Sequence, residues 1–324
     1  LRYYNISIKN PATGANVLPS SLGGGAITSL LPNGQYNPAA LNVQLDIAVL
    51  NANDPDSNSW VRIYGLGLKD ISASLDLTDL DISISAGMSR GLPLANPAQA
   101  GLLVKGRIYQ AFGNWIGTDQ TLDLNIRAGS NVDDSNNFPF SWKAGTPLAT
   151  AIGQTLAIGM PGKKQNIAIS PNLVIGYDEV GYYQSLEQFA GWLNQRSQPI
   201  IGGKYQGVQT STDGNSVTVY DGTVQPPANK IKQIAFQDMI GQPTWIAFGT
   251  ISVTFVMRGD LNVGDTIHLP PAVYASSFPA GPRFQDQTTF TGNFWIRQMH
   301  HFGNFRQPDA ASWTTVIQAF QVGN

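Results

Sequence analysis

Two segments far apart in this chain spell the same piece of β-structure. The first runs Gly106-Arg107-Ile108-Tyr109-Gln110-Ala111-Phe112-Gly113-Asn114 and is followed by an alternating run at 121–128. The second runs Ile296-Arg297-Gln298-Met299-His300-His301-Phe302-Gly303-Asn304 and is followed by 313–322. Each reads as a strand, a Phe-Gly-Asn turn, an irregular loop and a second strand. The pattern places equivalent module corners at Phe112, Gly113, Asn114 and at Phe302, Gly303, Asn304. A chain carrying two copies of one module is quasi-symmetric and can build a ring with twice as many modules as subunits. That favours an assembly part over an enzyme.

Period-two alternation continues through the first third, at 43–49, 60–64, 81–85, 102–112 and 122–127, which predicts five strands. The segment 19–38, with Gly23, Gly24 and Gly25, reads as a long surface arm, and 51–58 as a polar loop. The middle changes character. Thr146-Pro147 resembles a helix N-cap with proline at the first helical position, and the helix stops at Gly159. Ser185 with Gln188 three residues on forms a capping box, followed by an apolar face of Leu186, Phe189, Ala190 and Leu193. Short strands are expected at 166–169 and 217–220, the second after a turn at Asp213-Gly214-Asn215. Pro226-Pro227 marks a linker, and strands return at 245–257, where one or two buried strands are expected, then at 265–269, 293–302 and 313–322. The fold class is therefore mainly β with a small α+β insert. Two similar antiparallel, barrel-like β modules occupy 1–145, with the arm at about 19–38, and 225–324; the α+β domain occupies 146–224.

Charged residues make up 12% of the 324, against roughly 25% in ordinary soluble domains. Such a weakly charged surface suits coverage by neighbouring subunits. The net charge of −2, with no basic cluster larger than Lys163-Lys164, gives no support to tight nucleic-acid binding, which needs several phosphates neutralised, and leaves room for a neutral surface that nucleic acid slides past. There is no cysteine, so disulfides and thiolate metal sites are absent. The first residues lack the long apolar region of a signal peptide. The most apolar stretch, 245–257, is too short for a membrane helix, and no membrane insertion is expected.

Candidate chemistry is sparse. Gly87-Met88-Ser89-Arg90-Gly91 matches the nucleophile-elbow pattern, but Pro93 and Pro97 oppose the helix that must follow the serine. A serine hydrolase using Ser89 with a histidine such as His300 is the alternative of another class. His300 and His301 are adjacent on a strand and point to opposite faces, so they do not share a metal. The calcium-loop-like Asn53-Asp54-Pro55-Asp56-Ser57-Asn58 segment has Ser59 where the sixth position needs glycine and Gly65 where the twelfth needs an acid. No catalytic, cofactor or metal site is expected.

The β modules carry a resemblance. Residues 60–66, then 82–88 ending Ala86-Gly87-Met88, then Gly106-Arg107-Ile108, resemble the first tube module of baseplate hub proteins from contractile-tailed phages, which are also related to the N-terminal regions of type VI secretion spikes. Ile240-Gly241-Gln242-Pro243-Thr244, then 253–257, then Leu261-Asn262-Val263-Gly264-Asp265-Thr266-Ile267-His268-Leu269, resemble the second tube module. The family-like turn positions are Gly87, Gly241, Pro243, Gly264 and Asp265. Gly65 stands where the family has Asn, and Met88 where it has Tyr. The resemblance implies a structural, non-enzymatic virion protein of the tail baseplate, assembled in the host cytoplasm. It implies a homotrimer whose six modules form a pseudo-sixfold ring joining the tail tube protein to the central spike protein, with other baseplate proteins around it. DNA would pass through the lumen without specific binding. A tail-tube or distal-tail protein is the alternative within the same class.

Overall fold

Alternating burial builds most of the strands. In β1 (Arg2–Lys9) Tyr4, Ile6 and Ile8 turn inward, and in β3 (Asn42–Val49) Val43, Leu45 and Ile47 do so. The computed structural model describes residues 1–17, 26–49, 58–89, 96–128, 137–203, 205–212, 216–224, 230–247, 249–270, 290 and 292–322. Between those two strands lies the short β2 (Ile27–Thr28). The first module continues with β4 (Asn58–Tyr64), α1 (Leu68–Ser72), β5 (Asp81–Met88), β6 (Gly101–Ile116) and β7 (Asp119–Ala128). The middle holds β8 (Phe138–Trp142), α2 (Leu148–Gly159), β9 (Lys164–Ala168), β10 (Glu179–Tyr183), α3 (Leu186–Ile201), β11 (Gln209–Thr212) and β12 (Ser216–Tyr220). The last part holds β13 (Lys232–Gln233), β14 (Thr244–Ala247), β15 (Thr250–Val256), β16 (Thr266–His268), β17 (Asn293–Asn304) and β18 (Trp313–Gln321). The chain is mainly β, as the alternation predicts.

Both β-rich parts belong to one sheet of 13 strands, ordered β14-β15-β18-β17-β3-β4-β7-β6-β5-β1-β2, with β16 on β17 and β13 on β16. Within it one five-strand pattern occurs twice. The order β3-β4-β7-β6-β5 matches β14-β15-β18-β17-β16, strand for strand in sequence order and all antiparallel. The register repeats too. Ile108 faces Ile126 just before a bulge at Tyr109, and Ile296 faces Ala319 just before a bulge at Arg297. Ile108 exchanges backbone bonds with Asp79 and Leu80, and Ile296 does so with Gly264 and Asp265. Asp79 and Gly264 both have positive φ, 67° and 90°. Asp79 pays a small steric cost that Gly264 avoids.

This register corrects the sequence reading at the Phe-Gly-Asn triplets. Neither is a turn: Phe112, Gly113 and Asn114 lie inside β6, and Phe302, Gly303 and Asn304 end β17. Nor do they coincide. With the bulges aligned, Phe112, Gly113 and Asn114 are equivalent to His300, His301 and Phe302 of the other module, two residues out of step with the second triplet. Each glycine answers its own packing demand. A Cβ on Gly113 would lie 2.2 Å from the Ile71 carbonyl oxygen of α1, and one on Gly303 would lie 2.7 Å from Leu45 Cγ. Gly113→Ala is therefore expected to destabilise the fold by about 1–3 kcal/mol in urea unfolding, while Gly176→Ala, with open space around it, changes little.

Two further expectations change. Residues 26–38 are not a free arm: β2 pairs with β1, Ile27 and Ser29 are buried, and Ser29 N donates to the Tyr4 carbonyl at 3.0 Å. The open edge of β1 supplies the partners that draw this segment in. Of the 245–257 stretch, β15 is buried in alternation, but β14 is exposed at all four residues because it ends the sheet. The polar loop, the Asp213-Gly214-Asn215 turn, Pro226-Pro227 and most of the calcium-like segment lie outside the described residues, as do residues 18–25.

The α+β insert has its own core. Phe138, Phe140 and Trp142 of β8 pack with Phe189 and Trp192 of α3, and Trp142 Nε1 donates to Thr155 Oγ1 of α2 at 3.0 Å. The Ser185 half of the capping box forms, with Ser185 Oγ accepting from Gln188 N at 3.2 Å; Gln188 Oε1 reaches one residue past the cap and accepts from Gln184 N at 3.2 Å. Phe189, Ala190 and Leu193 are buried as their spacing requires. α2 begins one residue later than expected, with Pro147 as its cap.

Candidate functional site

The feature that organises the molecule is the joint where the two modules meet. β17 is long enough to take two partners on one edge. Its first residues pair with β16, and its second half pairs antiparallel with β3, from Met299 opposite Val49 to Asn304 opposite Gln44. His301 and Ile47 face each other there, both buried.

Polar contacts fasten the joint from both ends. The Arg2 guanidinium donates to the carbonyls of Asn304 (2.5 Å) and Asp309 (2.8 Å) and to Ser312 Oγ (2.9 Å), and also bonds the Gln307 carbonyl. The first strand thus holds the β17–β18 loop. Trp313 Nε1 donates to the Gly87 carbonyl at 2.9 Å. On the other side, Arg258 is nearly fully buried. Its Nε and Nη2 meet the two oxygens of Asp260 at 2.7 Å each, and Nη1 lies 3.4 Å from Asp238 Oδ2. Asp238 Oδ2 also accepts from Gln99 Nε2 of the first module at 2.8 Å. Beside this network Gly259 N donates to the Gln99 carbonyl, and Gly101 and Gly259 touch so closely that a Cβ on either would meet the other's backbone at 2.5 Å.

The adjacent histidines face opposite ways, as strand alternation requires. His300 Nε2 lies 2.5 Å from Asp46 Oδ1 across the joint, close enough for an ion pair but not aligned as a hydrogen bond. His301 is buried, with Nδ1 2.9 Å from Thr315 Oγ1 and Nε2 without a hydrogen-bond partner. Burial chiefly, and the neighbouring His300 secondarily, pull its pKa down to about 3.

The other residues singled out by sequence are scattered along the frame. Gly87, at φ 152°, packs against Ala100, where a Cβ would come within 2.6 Å of its Cα. Gly241, at φ 78°, turns the chain before the buried Pro243 and β14. Asp265 accepts from Asn262 N at 2.7 Å and pairs with Lys232 at 2.8 Å. Ser89 Oγ donates to the Leu1 carbonyl at 3.1 Å. Residues 90–95 lie outside the described residues, and the next described element is the short turn Pro97–Gln99, followed by β6. No group of three metal-ligating side chains occurs among the described residues, and no described helix is long and apolar enough to cross a membrane.

Arg2 and Arg258 escape sequence reading. The alternation of Tyr4, Ile6 and Ile8 signals a strand at the start of the chain, but nothing local signals partners some 300 residues away for Arg2. Nor does anything local signal that Arg258 meets Asp238, 20 residues earlier, or that Asp238 meets Gln99, 139 residues away.

No protein-family model matches this chain, and no curated protein matches it in sequence. Solved structures do. The 43 kDa tail protein of prophage MuSo2 from Shewanella oneidensis superposes with a TM-score of 0.51 at 8% identity, covering 99% of this chain and 97% of that one. The chain has the fold of a phage tail protein. A chain of the half-lidded Francisella PdpA–VgrG complex superposes with a TM-score of 0.51 at 7% identity, covering 100% of this chain and 58% of that one.

Proposed function

We propose that the chain is a structural, non-enzymatic subunit of a contractile-tail baseplate: a hub whose three copies form a pseudo-sixfold ring between the tail tube and the central spike. The observation that carries this is the repeated five-strand pattern in one chain, with its bulge, positive-φ turn and register repeated as well. Two modules per chain let three copies present six similar joints to a sixfold tube while keeping threefold symmetry toward a spike. The shared fold with a phage tail protein and with a chain of a VgrG complex supports the same reading. The partners are then further copies of this chain, the tube protein, the spike protein and other baseplate proteins, in the virion tail, with assembly in the host cytoplasm. A weakly charged chain suits a lumen that DNA crosses without sticking.

A tail-tube or distal-tail protein would ordinarily carry one module per chain, and the duplication counts against it. A serine hydrolase is disfavoured because Ser89 Oγ is engaged with the Leu1 carbonyl. The test is rotational symmetry. Native mass spectrometry and electron microscopy of the assembled chain are expected to give three copies around an axis with six similar lobes. A stable monomer at high concentration, or an off-axis place in the particle, would overturn the proposal.

A further inference from the structure

The sheet joint that closes inside the chain has an open counterpart on its surface. β6 matches β17, and β14 matches the part of β3 that docks on β17. Yet among the described residues the outer edge of β6 beyond Ile108 has no backbone partner, and β14 bonds only to β15. The closed joint buries Ile47 and His301 at its centre. The two open edges instead expose large apolar side chains: Phe112 at 46%, Trp115 at 62% and Ile116 at 76% on β6, Trp245 at 37% and Ile246 at 47% on β14. Unpaired edges bearing such residues invite another strand.

We propose that β14 of one copy pairs antiparallel with the outer edge of β6 of a second copy, placing Trp245 opposite Gly113 and Thr244 opposite Asn114. The inference rests on the ring reading above and names the surfaces that would close it. The register follows from the closed joint. Thr244 faces Ser252 as Asp46 faces Trp60, and Asn114 holds the place of Phe302, which pairs with Asp46. By the same step Trp245 takes the place of Ile47, and Gly113 that of His301. The two edges differ, so the contact is head to tail and continues from copy to copy until it closes.

The joints are unequal. The inner one spans six residue pairs and is held by Arg2. The outer one has only the four residues of β14, bulged between Trp245 and Ala247. The ring is therefore built from three strong and three weak joints and comes apart at the weak ones, releasing whole chains.

The chain has no cysteine, so an introduced pair reports alone. Directly opposed residues in an antiparallel pair sit about 4.5–5.5 Å apart at Cα, within disulfide reach. Asn114→Cys with Thr244→Cys is expected to give, on mild oxidation of the assembled full chain, a ladder ending in a reductant-sensitive closed trimer. Each single variant, and Gln110→Cys with Thr244→Cys, should run as monomers under denaturing conditions. If the wild type assembles but the Asn114/Thr244 pair does not link, or the Gln110 pair links instead, the proposed edge is wrong while the ring reading stands. An open-ended ladder keeps the edge and removes the three-copy ring. A wild type that stays monomeric at high concentration removes both.

Discussion

Replacing Arg258 with methionine is expected to cost about 3–5 kcal/mol of stability, the range for removing one partner of a buried ion pair. The side chain is 4% exposed and satisfies Asp260 with two hydrogen bonds while lying 3.4 Å from Asp238. Methionine matches much of the aliphatic stem, so little packing is lost. What is lost is the positive charge that allows Asp238 to stay buried, with Gln99 as its remaining partner. Because Gln99 belongs to the first module, the damage falls on the contact between modules as well as on the second module. A urea midpoint lowered in proportion, with an unchanged slope, would match this account. Restoring stability by adding Asp238→Asn and Asp260→Asn to Arg258→Met would show that uncompensated charge, and not lost volume, is responsible. A single Arg258→Met variant as stable as the parent would refute the account.

The second large effect is acid sensitivity at His301. In the folded chain its pKa is pulled down to about 3, whereas an unfolded histidine titrates near 6.5. Between those values the unfolded chain binds a proton that the folded chain refuses, so stability falls as pH is lowered through that window and is fully present above it. The contribution reaches on the order of 4 kcal/mol at the lower end. His301→Leu removes the titrating group from the same space. Carboxylates also titrate in the lower part of the window, so the quantity to measure is the difference between the parent and His301→Leu curves of unfolding free energy against pH. The parent should lose more stability than the variant between about pH 6.5 and pH 4, by an amount growing toward the acid end. Parallel curves would mean that His301 is not held neutral. Since His301 pairs with Ile47 at the centre of the inner joint, the same acidification should loosen that joint first.

Much of the architecture was legible in the residues. Alternating apolar positions in 43–49, 60–64 and 122–127 mark strands because one face of each must be buried. Ser185 marked the start of α3 because its side chain satisfies the Gln188 backbone donor that a helix end leaves open. The duplication was also visible, but through the wrong letters. The Phe-Gly-Asn triplets are alike in spelling and unlike in place, since Gly113 makes room for the α1 backbone and Gly303 for Leu45 and Trp313. The true equivalence, Ile108 with Ile296 and Asp79 with Gly264, is carried by backbone hydrogen bonds and a bulge, which many residues can adopt.

The sequence by itself determined a mainly β chain with two related modules and an α+β insert, because burial periodicity and capping are local properties. Only the tertiary structure decided that the modules share one sheet, that β17 receives β3, that Arg2 and Arg258 fasten the joint, and which two edges stay open. Those facts depend on residues distant in sequence meeting in one place. A strand's own sequence specifies which face it buries and leaves open which strand will lie beside it.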